Sequence, residues 1–190
     1  GVPAVLPRED RATRSILDHV HVALVGGRRG NRDTGGGPQP RAVRAAQSLP
    51  VDVDGGRGQE AQTVVVALRR LPVPLRDDPR IDLQEALAAQ SLAQYERQTA
   101  AAERAVDKAR RSGATWIEAF ALAVEAAGRR AQGQLQPALA LLDRSRSMSQ
   151  TAGDRAGVAD ALTQSGVIAR EMGELDRARE LYGEALATYR

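Results

Sequence analysis

The C-terminal part of the chain repeats its own sequence with a step of 40 residues. A shift by that step superposes Ala119 on Ala159, Ala121 on Ala161, Leu122 on Leu162, Arg130 on Arg170, Gly133 on Gly173, Leu135 on Leu175, Ala138 on Ala178, and Leu141 on Leu181. One step earlier the echo is weaker and pairs Glu85 with Glu125, Ala86 with Ala126, Arg104 with Arg144, and Gly113 with Gly153. A fixed period of this length is typical of stacked supersecondary units.

Each unit of the repeat predicts two helices joined by a short turn. From Asp77 onward the residues are mostly Ala, Leu, Glu, Gln and Arg, which favour helices. Gly133, Gly153 and Gly173 are expected to end helices, because glycine adopts the left-handed conformation that helix ends use. The predicted helices run over about 116–131 and 137–151 in the second unit, and over 155–172 and from 175 to the chain end in the third.

The helix starts have their own signals. Thr115 and Glu118 have the spacing of a capping box, and Pro137 suits a first helical turn. Asp154 and Asp78 are each expected to cap a helix start. In the first unit no Gly, Pro or Asn lies between 83 and 111, so that segment could form one long helix.

The residues before Asp77 have a different composition. Residues 1–76 carry an excess of basic over acidic side chains and most of the glycine and proline, whereas residues 77–190 are slightly acidic. We therefore predict two parts, a basic and largely irregular segment over 1–76 and helical repeats over 77–190, the latter as about 78–113 (degenerate), 115–151 and 154–190. In the first part we predict one helix over about 9–24, a loop over 26–60, and either helix or strand over 63–68. An Arg/Gly/Pro-rich stretch is also what GC-rich DNA yields when it is translated from a wrong start or frame, and this alternative stays open.

One stretch of the third unit resembles a known family. The residues that carry the resemblance are Leu162, Gly166, Gly173, Ala178, Tyr182, Ala185 and Leu186. Their spacing resembles a tetratricopeptide repeat, in a longer variant with about six extra residues around 147–154. The resemblance implies an all-α solenoid of helix-turn-helix units. The long variant is also similar to C-terminal arrays of bacterial signal-transduction ATPases and transcriptional regulators.

The resemblance implies a binding groove. In such arrays the first helices of successive repeats line a concave surface that binds extended peptides or helices. The residues expected there are Gln90, Phe120, Ala123, Ala127, Arg130, Asp160, Thr163, Val167 and Arg170. Arg130 and Arg170 would form a ladder suited to an acidic peptide or a C-terminal carboxylate. The alternative is that both arginines are solvated or pair with Glu125 and Glu171. We expect Trp116 to pack between repeats.

Catalytic, cofactor and metal sites are not expected. The chain has no cysteine. His19 and His21 point in different directions on a helix and lack a third ligand. Arg57 stands where the calcium loop that Asp52 and Asp54 suggest would need glycine. The run Val22–Gly30 has neither the glycine spacing nor the Lys-Ser/Thr pair of a phosphate-binding loop. We therefore expect no enzyme activity, cofactor or metal.

A protein partner is the expected ligand, and nucleic acid is the main rival. The basic excess of residues 1–76 would attract phosphates, but those residues include no aromatic side chain to stack on bases. No apolar run is long enough to span a membrane, and we expect a cytoplasmic location. We expect the last helix to expose Leu181, Tyr182, Leu186 and Tyr189, and we therefore expect further repeats, a dimer contact or a capping helix beyond Arg190.

Overall fold

The computed structural model describes residues 77–189 together with Gln59, Gln62, Val65, Val66 and Arg69. The helix predicted over 9–24 lies outside these residues, as does the loop predicted over 26–60 except for Gln59, which is helical. Over 77–189 the structure contains six helices and no strand. They are α1 (Pro79–Ser91), α2 (Tyr95–Ser112), α3 (Thr115–Ala131), α4 (Leu135–Thr151), α5 (Arg155–Glu171) and α6 (Leu175–Tyr189).

The helices form three antiparallel hairpins, α1–α2, α3–α4 and α5–α6. Each helix packs against the next one in the chain, and the first helices of successive hairpins also touch, α1 with α3 and α3 with α5. This is the arrangement of a helical solenoid, so the all-α prediction is confirmed for the described residues. The predicted ends of the four C-terminal helices agree with the structure to within two residues.

One turn geometry recurs every 20 residues. Ala93, Gly113, Gly133, Gly153 and Gly173 all have a positive φ, between 53° and 80°. At each turn the next residue donates its N–H to the carbonyl five positions earlier, as in Gln134 N to Arg129 O at 2.9 Å. This bond is the signature of a Schellman motif, which satisfies carbonyls at the end of a helix. The 40-residue repeat therefore consists of two helix-plus-turn segments of equal length.

The turn between α1 and α2 has no glycine, because its left-handed residue is Ala93. The possible single helix from 83 to 111 is wrong, because α1 ends at Ser91 and α2 begins at Tyr95. The turn between them has the same backbone bond as the glycine turns, Gln94 N to Ala89 O at 2.9 Å. A non-glycine residue with φ near 53° is uncommon, and the sequence shows only an alanine there.

The helix starts agree in part with the predictions. The side chain of Asp78 accepts from Arg80 N at 2.9 Å, and that of Asp154 accepts from Gly157 N at 3.0 Å, so both caps are confirmed. The capping box at 115 and 118 is wrong, because the residue that precedes α3 is Ala114 and it makes no side-chain cap bond. The carboxylate that the box would use, that of Glu118, instead accepts from Arg110 Nε at 3.0 Å.

The core is built mainly from alanine, with leucine and isoleucine between. Three glycines within helices permit the closest approaches of neighbouring helices. A methyl group on Gly128 would lie 2.7 Å from Thr99 Cγ2, and one on Gly166 would lie 2.7 Å from Tyr182 Cε1. A methyl group on Gly157 would lie 2.5 Å from the hydroxyl of Ser149. The small residues thus set how closely α2 meets α3, α4 meets α5, and α5 meets α6.

The described residues before Asp77 pack on the first hairpin. Gln59, Gln62, Val65 and Val66 are helical, and Val65 is only 1% exposed. Forty, eighty and 120 residues later the same register holds the buried residues Ala105, Ser145 and Ala185. Gln62 Nε2 donates to Gln94 Oε1 at 3.0 Å, which ties this segment to the turn that follows α1. The apolar run over 63–68 is therefore helical where it is described.

Replacement of Ala93 by glycine tests the turn. Removal of Cβ from a left-handed residue relieves about 1 kcal/mol, and the greater entropy of the unfolded chain offsets part of it. We expect Ala93→Gly to raise the free energy of unfolding by about 0.5 kcal/mol in urea denaturation. The matched control is Ala100→Gly in the middle of α2, which should lower the free energy by about 1 kcal/mol. A destabilising Ala93→Gly would contradict the turn assignment.

Candidate functional site

The first helices leave one side open along the array. Almost every residue of α3 between 117 and 128 is buried, because this helix packs against α1, α2, α4 and α5. Four exposed or half-buried residues of the helix lie along one side of it, namely Trp116, Phe120, Ala127 and Arg130. The spacing of four, seven and three residues keeps these side chains on one face. This face of α3 is the part of the helix that a ligand can reach.

The neighbouring first helices continue this face in the same register. We call the combined surface the first-helix stripe. On α5 its members are Ala156, Asp160, Thr163, Val167 and Arg170, each 40 residues after a position on the α3 face, and on α1 they are Leu87 and Gln90. Because α1 touches α3 and α3 touches α5, the three faces lie side by side. The stripe thus combines apolar side chains with polar ones, and Gln90, Arg130 and Arg170 lie near the C-terminal ends of their helices.

Gln90, Arg130 and Arg170 occupy equivalent places. The carbonyl of each accepts the N–H of the left-handed turn residue three positions later, at 3.1, 2.9 and 3.0 Å respectively. Arg130 Nη1 donates to Glu171 Oε1 at 2.5 Å, which joins the end of α3 to the end of α5. Of the ion pairs that the alternative named, the structure thus shows one, Arg130 with Glu171, whereas Arg170 is exposed.

The other residues predicted for the groove differ in the solvent exposure of their side chains. Ala123 is buried in the core between α3, α4 and α5, and the partly buried Phe120 packs against the neighbouring cluster that includes Leu122 and Ala121. Asp160 accepts a hydrogen bond from the Tyr189 hydroxyl at 2.8 Å, which ties the end of α6 to the stripe. Thr163 is exposed, with its hydroxyl donating to Ala159 O at 2.8 Å. The exposed polar side chains of the stripe are thus those of Gln90, Thr163 and Arg170.

Trp116 is the residue that the sequence interpretation misplaced. It is 41% exposed rather than packed between repeats. It lies one turn before Phe120 on the same side of α3, so the two aromatic residues are neighbours on the first-helix stripe. The four-residue spacing of the two aromatics was the signal available in the sequence.

A cluster of charges holds the first hairpin to the segment before it. Asp82, only 1% exposed, lies 2.9 Å from Arg69 Nη2, 2.9 Å from Arg104 Nε and 2.8 Å from Lys108 Nζ. Glu85 also contacts Arg69, and Arg97 Nε donates to it at 3.0 Å. These ion pairs join α1, α2 and the segment that contains Arg69. Their role is to fix the first hairpin, and they lie off the first-helix stripe.

Two buried glutamates show opposite pKa shifts. Burial alone would raise the pKa of Glu85, but the hydrogen bond from Arg97 and the charges of Arg69 and Arg104 outweigh it, so the pKa is lowered. Burial raises the pKa of Glu125, the charge of Glu103 adds to that, and Arg129 offsets it only in part. At neutral pH the carboxylate of Glu85 therefore stabilises the fold, whereas that of Glu125 carries a cost.

Other candidate chemistry finds no support in the described part of the chain. Residues 77–189 hold no cluster of three or more His, Asp or Glu side chains that could bind a metal. No helix among the residues that the structure describes is long and apolar enough to cross a membrane. His19, His21, Asp52, Asp54 and the run Val22–Gly30 lie outside those residues, as does nearly all of the basic segment. The nucleic-acid hypothesis therefore stays a prediction.

Comparison with known proteins finds a family model that is similar to the C-terminal hairpins. Residues 118–190 match the family model described as the tetratricopeptide repeat. No curated protein matches the chain. The matched residues run from the first turn of α3 to the end of α6, so they contain two of the three hairpins.

The two glutamates give a matched pair of predictions. Glu85→Gln should lower the free energy of unfolding at pH 7 by about 1–2 kcal/mol, because it removes the charge that three arginines surround. Glu125→Gln should raise it by about 0.5 kcal/mol, because it removes a buried charge near Glu103. Both are measured by urea denaturation.

The stability effects of the two glutamate substitutions should both depend on pH. The contribution of Glu85 should be lost as pH falls through its lowered folded-state pKa, so the deficit of Glu85→Gln should shrink in acid. The cost at Glu125 is relieved as that group protonates at its raised pKa, so the advantage of Glu125→Gln should shrink as pH falls from 7 to about 4. Two variants with the same sign at pH 7 would contradict this account.

Proposed function

We propose that this protein, whose residues 118–190 are tetratricopeptide repeats, is a non-catalytic scaffold that binds a partner peptide or helix along the first-helix stripe. Tetratricopeptide repeats are generally protein-interaction modules. The observation that carries the proposal is the face of exposed and half-buried side chains that α1, α3 and α5 share in one register.

The stripe also suggests the chemistry of the partner. Trp116 and Phe120 offer apolar surface near the start of α3, and Arg170 offers an exposed guanidinium near the end of α5. An arginine recognises a carboxylate through two parallel hydrogen bonds. The proposed ligand is therefore a peptide or helix with an apolar anchor and an acidic group, or a free C-terminus, about one helix length apart.

Arg130 enters this proposal in a different way from Arg170. Its guanidinium is already held by Glu171, so it is oriented by an internal partner. A ligand carboxylate could be shared with that pair only at the expense of the existing contact, whereas Arg170 needs no such exchange. Gln90, Ala123, Ala127, Asp160, Thr163 and Val167 complete the proposed contact surface.

The wider setting of the scaffold is also a proposal. The long repeat resembles arrays of bacterial signal-transduction ATPases and transcriptional regulators. On that resemblance we place the chain in a cytoplasmic regulatory protein in which another domain would supply any enzymatic step.

Trp116 gives the proposal a direct test, because it is the only tryptophan in the chain. We expect acidic peptides from a random library, selected by binding to the full chain, to shift the Trp116 emission to shorter wavelength, since the indole would leave water. Arg170→Glu should weaken the affinity for the selected acidic peptides about tenfold, because a negative side chain would repel the carboxylate that the arginine attracts.

The control variant makes the same change of charge at an arginine outside the first-helix stripe. Arg111→Glu alters an exposed arginine at the end of α2 and should leave peptide affinity within about twofold. Equal losses of peptide affinity in both variants would show that the effect depends only on the net charge of the protein. Selected peptides that bind without any change in Trp116 emission would place the site elsewhere and overturn the proposal.

A further inference from the structure

One position of the repeat is apolar in two units and charged in the first. Leu122 and Leu162 are equivalent residues of the 40-residue step, and both are buried. Their equivalent in α1 is Asp82, which is just as deeply buried. A carboxylate that leaves water is costly unless cations accompany it. The first unit therefore needs charged partners at a place where the other two units bury a leucine.

Two partners of Asp82 differ from their own equivalents in the same way. Arg69 Nη2 lies 2.9 Å from Asp82 Oδ1, and Lys108 Nζ lies 2.8 Å from Asp82 Oδ2. Forty residues after these two cations stand Ala109 and Met148, which carry no charge. We call the charged set the ionic triplet, which consists of Arg69, Asp82 and Lys108. We call its equivalent in the second unit the apolar triplet, which consists of Ala109, Leu122 and Met148.

The apolar triplet is part of the hydrophobic core. Ala109 and Leu122 are buried in one cluster, and the partly buried Met148 packs against that cluster. The apolar triplet combines a small alanine with a large leucine, whereas the ionic triplet combines a long arginine with a short aspartate. The two triplets therefore occupy equivalent places in the array with different chemistry and a different distribution of side-chain size.

The third cation at Asp82 does not separate the two units. Arg104 Nε also lies 2.9 Å from Asp82 Oδ1, but its equivalent in the second unit is another arginine, Arg144. Of the partners that Asp82 has among the described residues, only Arg69 and Lys108 thus have uncharged equivalents.

This difference penalises a pairing that is shifted by one unit. Similar repeats can stack out of order, and such misassembly is a characteristic failure of repeat proteins. In a shifted pairing the segment that contains Arg69 would pack on α3, where Leu122 stands in place of the aspartate. The buried carboxylate of Glu125 in α3 is already contacted by Arg129, at 3.5 Å. Arg69 would thus lose the ion pairs that hold it, and its guanidinium would displace apolar contacts.

We propose that the ionic triplet determines which helix packs against the side of α1 that faces away from α3. That surface fits a helix with an arginine at the place of Arg69, so it selects the preceding segment of the chain over α2 and α4 of the same or another copy. The triplet acts on the order of stacking rather than on stability, because apolar residues can often replace a complete buried ion pair without loss of stability. A single buried polar residue sets the register of a coiled coil in the same way. The proposal does not involve the first-helix stripe.

The first measurement compares stabilities. The triple variant Arg69→Ala/Asp82→Leu/Lys108→Met copies the apolar triplet into the first unit. Its urea midpoint should equal or exceed that of the natural chain, whereas Asp82→Leu alone should lower the midpoint, because it leaves two cations without their carboxylate. A triple variant that unfolds at lower urea than the natural chain would show that the triplet stabilises the fold instead of ordering it, and would overturn the proposal.

The second measurement detects the shifted pairing with an added disulfide. Gln62 Nε2 donates to Gln94 Oε1 at 3.0 Å in the natural pairing, and Gln134 lies 40 residues after Gln94. A shift by one unit therefore brings positions 62 and 134 together. Because the chain has no cysteine, Gln62→Cys with Gln134→Cys adds the only pair of thiols that can be oxidised.

The cysteine pair is placed in the natural chain and in the triple variant, and both are refolded from urea at about 100 μM and then oxidised. The disulfide between positions 62 and 134, identified by mass spectrometry, should be several times more abundant with the apolar triplet. Gln62→Cys with Gln150→Cys is the matched control, because no shift by whole units brings position 150 to position 62, and its disulfide should stay equally rare in both chains. Equal amounts of the disulfide between 62 and 134 in the two chains would overturn the proposal.

Discussion

The left-handed turn at every twentieth residue is the constraint on which the rest of the structure depends. It ends each of the helices α1 to α5 with the same pair of backbone hydrogen bonds, so successive helices have similar length and the chain reverses direction every 20 residues. Equivalent side chains then recur in equivalent environments, as at Val65, Ala105, Ser145 and Ala185. The shared register of the first helices, and with it the candidate groove, follows from this regularity.

Small residues determine how the hairpins stack once the turns have set their length. Alanine dominates the buried surface, and Gly128, Gly157 and Gly166 admit a neighbouring side chain where any Cβ would collide. Close stacking buries most of α3 and leaves it a single exposed face. The two ends of the described array differ: ion pairs from Arg69 hold the α1 end, whereas apolar side chains lie open on α6.

Much of this fold could be predicted from the sequence, because glycine marks four of the five turns and the 40-residue step marks the hairpins. The turn at Ala93 could not, since alanine gives no sign of a left-handed residue. Helical spacing predicts which residues of the first helices lie on the first-helix stripe, but it does not predict the exposure or the ion pairs of their side chains. The ion pair between Arg130 and Glu171 joins residues that are 41 positions apart, so the local sequence does not predict it. The exposure of Trp116 likewise depends on how the neighbouring helices pack.

Hydrogen–deuterium exchange of the full chain, followed by mass spectrometry with overlapping peptides, tests the central claim most directly. The account predicts slow exchange within the six helices α1 to α6, interrupted by faster exchange in the first turn of the helix that follows each of residues 93, 113, 133, 153 and 173. Protection should be greatest in α3, which is buried on nearly every side. Continuous protection across residue 93, or exchange with no 20-residue spacing, would contradict it.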